Sequence, residues 1–223
     1  MRSMIRLGIV GALAGLLVVP KVLEAVGPPW SLFGTATPVK TGQGPNPWAV
    51  RLTSQGVATF GGIDYTNPPG PIKFDDLYYF GTDFRVVAPA GDGCGGGSPR
   101  FQLSIDTDGD GDFDGNVFVY IGPFPNFTLC DTIPPGNWQT TGNFVGTPPN
   151  DLRYDTTQIG GTFYDSYTGT QTRLNTLYPN HQILGMQLVV DSGWSKLFIE
   201  IQIIDVDKVI INQHIVMARG YAK

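Results

Sequence analysis

Ten consecutive residues, Asp106-Thr107-Asp108-Gly109-Asp110-Gly111-Asp112-Phe113-Asp114-Gly115, carry the densest chemistry in the chain. Carboxylates at alternate positions can turn to one side of a tightly folded loop. A hard cation such as calcium takes about six to eight oxygens at such a site. The spacing Asp106, Asp108, Asp110, Gly111, Asp114 fits a D-x-D-x-D-G-x-x-D loop, with Gly111 allowing the sharp turn. An EF-hand would need a Glu where this chain has Val117, and strands rather than helices flank the loop. The expectation is a calcium loop in a β-hairpin, with Asp106, Asp108, Asp110, Asp112 and Asp114 as ligands. The alternative is a solvated Asp/Gly turn that binds nothing.

Cys94 and Cys130 are the only two cysteines, and an even pair in an exported chain reads as a disulfide. Without a neighbouring Cys or His they do not suggest a metal site. Asn126-Phe127-Thr128 is a glycosylation sequon. Exposed aromatics stack on pyranose faces, and Trp138, Tyr164 and Trp194 are the candidates for a sugar platform, with Trp138 also a candidate anchor for its loop. The run Cys94–Arg100 is glycine-rich but lacks the Gly-Lys-Ser/Thr ending of a phosphate loop. Arg100, close to the acidic loop in sequence, reads as its charge balance. His181 and His214 accompany no nucleophile motif or metal-ligand spacing and read as structural, so no catalytic residue is expected and the chain reads as a non-enzyme.

The elements that must position these residues follow from composition. In 223 residues there are 30 Gly and 18 Pro without a triplet period, which implies many tight turns. Of the 19 acidic residues only Glu24 and Glu200 are glutamates, and aspartate favours turns over helices. The class is therefore all-β, an antiparallel sandwich or jelly roll. Alternation marks strands at Trp48–Leu52, Phe101–Ile105 and Ile183–Asp191, and Val117–Ile121 is a fully apolar strand. Val57–Phe60 and Leu77–Val87 supply further strands. Asp205–Asp207 reads as a turn into a last strand, Lys208–Met217, which by its apolarity is either a central strand of the sandwich, the favoured reading, or an edge completed by a neighbouring subunit. Phe74–Tyr79 and Asp165–Leu177 are the best helical stretches beyond residue 26, and neither is convincing. A net charge of −5 with scattered Lys and Arg argues against nucleic acid.

Residues 1–26 form an expected hydrophobic helix. Arg2 and Arg6 precede the uncharged run Leu7–Val19, as in a secretory signal peptide. Met4–Val26 is equally long enough to span a bilayer as a retained anchor, with Gly8, Gly11 and Gly15 as a small face for packing against another helix. Both readings place Val26 onward outside the cytoplasm. Residues 27–47 read as a Pro/Gly-rich linker and 48–223 as a single β-sandwich domain.

Several strings together resemble a group of uncharacterised exported bacterial β-domains that occur alone or appended to other surface proteins. They are Gly95-Gly96-Gly97-Ser98-Pro99-Arg100-Phe101, the Asp-Gly loop, Tyr120-Ile121-Gly122-Pro123 with Asn126-Phe127-Thr128, Gly160-Gly161-Thr162-Phe163-Tyr164-Asp165, and Gln187-Leu188-Val189-Val190-Asp191-Ser192-Gly193-Trp194. The resemblance covers roughly Trp48 to Val216, and the N-terminus departs from it. It implies a β-sandwich outside the cytoplasm and no particular activity.

The expected function is a non-catalytic extracytoplasmic structural or interaction module, anchored in the membrane as an accessory subunit of a larger protein complex. The first alternative is a secreted carbohydrate-binding or adhesion domain, which predicts a row of exposed aromatics on one sheet face or loop end. A further alternative is a surface filament subunit joined by strand exchange.

Overall fold

The computed structural model describes residues 30–43, 47–55, 59–65, 72–88, 94–95, 97–127, 130, 136–191, 201–212 and 214–216. Within them lie β1 (Trp30–Gly34), β2 (Thr37–Val39), β3 (Ala49–Gln55), β4 (Phe60–Tyr65), β5 (Phe80–Ala88), β6 (Arg100–Asp106), β7 (Gly115–Tyr120), β8 (Gln139–Thr140) and β9 (Tyr154–Asp155). One helix, α1 (Tyr167–Leu177), precedes β10 (Gln182–Asp191), β11 (Ile201–Ile211) and β12 (His214–Val216). The strands form two antiparallel sheets. One has the order β1-β4-β10-β6-β7-β9, and the other β2-β3-β11-β5-β8 with β12 paired to β11.

Alternation along each strand gives each sheet one apolar face. On β6, Phe101, Leu103 and Ile105 turn inward, and Arg100, Gln102 and Ser104 turn outward. On β7, Val117 and Val119 turn inward opposite Asn116, Phe118 and Tyr120. The inward residues of both sheets belong to one cluster, in which Leu52, Phe84, Val86 and Ile204 of the second sheet meet Ile63, Leu103, Val117 and Leu188 of the first. Phe80 and Phe101 link the sheets edge to face at 5.5 Å, and Phe144 packs against both rings. Such tilted arrangements suit the aromatic quadrupole.

Four sequence expectations change. Residues 30–39, placed in a linker, instead form β1 and β2, which pair with β4 and β3 and so belong to the sheets. Trp30 is buried there, on the core side of the strand. Asp165–Leu177 does contain a helix, begun by Ser166, whose hydroxyl accepts from the Gly169 amide at 2.9 Å. Its buried side chains are only Tyr167, Thr170 and Leu174, which is why the periodicity reads weakly. Asp205–Asp207 is not a turn but the middle of β11, because Asp205 stands between Arg51 of β3 and Arg85 of β5. The chain reverses at Asn212, which has a positive φ of 53° and accepts the Tyr78 amide at 2.9 Å. Arg100, finally, does not balance the acidic loop. It sits at the opposite end of β6 and pairs with Asp191 at 2.7 Å. With Asp205–Asp207 inside β11, Lys208–Met217 is accordingly not one strand: Lys208–Ile211 ends β11, which has β3 on one side and β5 on the other, and His214–Val216 forms the short β12 paired with β11.

Cys94 and Cys130 form a disulfide, with Cα atoms 5.2 Å apart and both residues buried. This is compatible with an oxidising compartment. No helix among the described residues is long and apolar enough to cross a membrane. The expected N-terminal helix, with Gly8, Gly11 and Gly15, lies outside the described residues, as does Trp194.

Candidate functional site: an acidic loop and an aromatic cavity on one hairpin

The β6–β7 hairpin carries a distinct site at each end. At the loop end, Asp106 finishes β6 fully buried and Asp114 precedes β7, its amide donating to Ile105 O at 2.9 Å. The Asp106 carboxylate organises the turn, accepting the amides of Asp108 (3.1 Å), Gly109 (2.7 Å) and Gly111 (2.8 Å). Gly111 has a φ of 94°, a conformation that side chains disfavour. Burial pushes the Asp106 carboxyl up, but the amides of Gly109, Gly111, Asp108 and Asp110 outweigh it and hold the group below its ordinary range. Thr107 donates to Asp114 through hydroxyl and amide, and Asp114 is likewise held low. Asp108 is exposed and its carboxyl is raised. The Asp110 amide lowers it, but the crowding carboxylates of Asp110, Asp114 and Asp106, together with desolvation, prevail.

Asp106, Asp108 and Asp114 each bring a carboxylate oxygen within 4.8 Å of the others, an arrangement able to hold a metal ion. Of the five expected ligands, Asp110 and Asp112 stand outside this group. Both are exposed, and Asp110 Oδ1 accepts the Asp112 amide at 2.8 Å.

At the other end of the hairpin, the outward faces of β6, β7 and β9 open a cavity of about 230 Å³, lined by Gly97, Arg100, Phe118, Tyr120, Asp155, Gln158 and Phe163. Register places these side chains together: Arg100 opposes Tyr120, and Phe118 opposes Asp155. One wall is aromatic. Tyr120 lies 6.4 Å from Phe163 and 6.5 Å from Tyr164, and Tyr164 stacks on Phe127 at 6.2 Å. Phe163 and Tyr164 are 44% and 51% exposed, so this wall is open to solvent. Arg153 fixes it from behind, packing its guanidinium on Phe127 and donating to Tyr120 O at 2.7 Å.

The rest of the lining is polar. Arg100 grips Asp191 through both terminal nitrogens, at 2.7 and 2.8 Å, and lies 4.8 Å over the Phe118 ring. Its Nε–H is buried without a protein partner. The Tyr120 hydroxyl donates to Asp155 at 3.0 Å, and burial, reinforced by that carboxylate, pushes the phenol well above its ordinary range. Asp155 also accepts from Thr157. Gln158 accepts the Asn116 backbone and side-chain amides through Oε1, which leaves its Nε2 as the outward donor. Arg100, Gln158 and an aromatic wall line one space, and the carboxylates of Asp155 and Asp191 are committed to partners.

Of the expected platform residues that are described, Tyr164 alone borders this site, packed against Tyr120 and Phe163. Trp138 lies elsewhere, with Arg85 of the second sheet 5.4 Å from its ring. Asn126 is exposed on the turn leading to Phe127. His181 is fully buried, its Nε2 accepting the Phe74 amide and its Nδ1 facing Tyr178 O at 2.7 Å, a structural placement. Sequence reasoning passed over Phe118, Tyr120, Asp155, Gln158 and Phe163. The available signal was the alternation of Phe118 and Tyr120 against Val117 and Val119. Three of the motif strings also end here, at Arg100, at Tyr120 and at Phe163-Tyr164, and a fourth supplies Asp191. No protein-family model, curated protein or solved structure matches the chain.

Proposed function

We propose that the chain is a non-catalytic, extracytoplasmic recognition module that binds carbohydrate in the aromatic cavity of its first sheet. The observation that carries this reading is the pairing of the open Phe163–Tyr164 wall with half-buried Arg100, which lines the same cavity and whose Nε–H has no protein partner. A sugar ring presents an apolar C–H face that stacks on an aromatic ring, and hydroxyls at its edge that accept hydrogen bonds. A cavity of one aromatic wall and a few fixed polar groups suits that dual surface. The commitment of Asp155 and Asp191 to Tyr120, Thr157 and Arg100 supports binding over hydrolysis, which needs a free carboxylate pair.

Two finer readings accompany it. The order β3-β11-β5-β8 against β4-β10-β6-β7 supports a jelly-roll sandwich. The grouping of Asp106, Asp108 and Asp114 supports calcium as the ion of the acidic loop, with loop oxygens completing the shell. The disulfide supports a place outside the cytoplasm, as a resident of the periplasm or cell surface. The membrane-anchored subunit reading rests on residues 4–26, outside the described residues, and the conclusion here goes to the cavity instead.

The test is a glycan array followed by calorimetry on the best hit. Tyr164→Ala and Phe163→Ala are expected to weaken binding about tenfold or more each, roughly 1.4 kcal/mol. An array without a single hit, using folded calcium-loaded protein, refutes the reading.

A further inference from the structure

The outward face of the first sheet does not end at the cavity. Asp191 of β10, held by Arg100, opposes Phe60 of β4, and Phe60 is 52% exposed. Phe33 of β1 opposes Gly62, and a Cβ at Gly62 would lie within 3 Å of the Phe33 ring, so the glycine lets that ring lie down on the sheet. Phe33 and Phe60 sit 6.1 Å apart. The face therefore carries aromatics at both ends, Phe163 and Tyr164 on one side and Phe60 with Phe33 on the other, with the Arg100–Asp191 pair between them. From β7 to β4 is three strand steps, about 14 Å at the usual strand spacing. One strand step, about 4.8 Å, is close to the advance per sugar along an extended glycan. The charge of the face also selects: among the described residues, Arg100 is set against Asp64, Asp155 and Asp191, a balance that disfavours acidic chains.

We propose that the site is a track for a neutral, extended polysaccharide lying across the strands, with the cavity as one end and Phe60 as a distal stacking subsite. This rests on the carbohydrate reading above and adds the length and charge class of the ligand. Val189, buried between Arg100 and Gly62 in the same row, gives the track an unbroken floor.

The experiment is calorimetry of the full chain against a neutral oligosaccharide series, from one to six units, of whichever neutral glycan the array selects. Affinity is expected to rise with length up to about four units and then level off, since three strand steps separate Phe60 on β4 from β7, where Phe163 and Tyr164 pack on Tyr120. Phe60→Ala, at an exposed position, is expected to weaken binding of the longer oligosaccharides about tenfold and to leave the one- and two-unit sugars unchanged. Tyr164→Ala is expected to weaken all lengths. Equal affinity for the single sugar and the longest chain overturns the track and leaves the cavity reading standing. So does a Phe60→Ala protein, folded by circular dichroism, that binds the long chain like wild type, and so does binding confined to acidic glycans. Failure of every glycan to bind overturns both.

Discussion

Asp205 offers the sharpest test of how the second sheet is held. Its carboxylate is completely buried in the middle of β11 and takes five hydrogen bonds: Arg51 Nε at 2.7 Å and Nη2 at 3.0 Å, Arg85 Nε at 3.0 Å and Nη2 at 2.7 Å, and Thr41 Oγ1 at 2.9 Å. Replacing it by Ala leaves two guanidiniums facing each other across the central strand. Removing one partner of a buried ion pair costs about 3–5 kcal/mol. The side chains of Arg51 and Arg85 are 31% and 20% exposed and can be partly rehydrated, which places the expected loss near the lower end, about 3 kcal/mol. Urea denaturation should show this as a lower midpoint with an unchanged slope. Burial pushes the Asp205 carboxyl up, but Arg51, Arg85 and Thr41 outweigh it and hold it below its ordinary 3.8. A depressed carboxylate lends its full stability above that ordinary value and loses it as pH falls through the lowered one. Wild type should thus lose stability below about pH 4, and Asp205→Asn should lose less over the same window. A loss under about 1 kcal/mol for Asp205→Ala, the size of an exposed pair, would refute the reasoning.

Other outcomes follow from the acidic loop and the disulfide. Calcium at a hundredfold excess over its dissociation constant should raise the melting temperature by about 5–10 °C, with EDTA reversing it and Asp106→Asn cancelling it. A melting temperature indifferent to calcium and EDTA would leave the loop as a plain turn. The double variant Cys94→Ser, Cys130→Ser opens a loop of 36-residue separation and should lose about 3–4 kcal/mol by chemical denaturation.

The class of fold and the acidic loop could be read from the chain because both are local. Alternation of period two fixes which residues of β6 and β7 face inward, and aspartates two apart share one turn. What escaped depends on pairing between distant segments. Nothing in Thr37–Val39 announces that it will pair with β3, and Asp205–Asp207 looks like a turn until Arg51 and Arg85 are brought to either side of it. The cavity escaped for the same reason. Its residues come from β6, β7, β9, the 3-10 turn Thr157–Ile159 and the loops that carry Gly97 and Phe163, and only the sheet brings Arg100 beside Tyr120 and Asp155 beside Phe118. Tyr164 was picked for its ring alone, and Trp138 fits that criterion equally well while packing with Arg85 instead.

The central place of β11 also dictates a sequence of events in time. Its neighbours β3 and β5 leave the ribosome long before it does, since Asp205 stands 154 residues beyond Arg51 and 120 beyond Arg85. Until β11 arrives, both neighbours lack the strand that separates them, and the second sheet cannot close. The first sheet waits less completely, because β6 and β7 form a local hairpin. Contacts of such long separation fold slowly. β11, the Ile-rich strand that must insert between them, is while it waits a stretch prone to stick to another chain. A chain shortened before Ile201 should therefore keep a β6–β7 hairpin and fail as a domain. The export proposed above would favour holding the domain unfolded until β11 has been made.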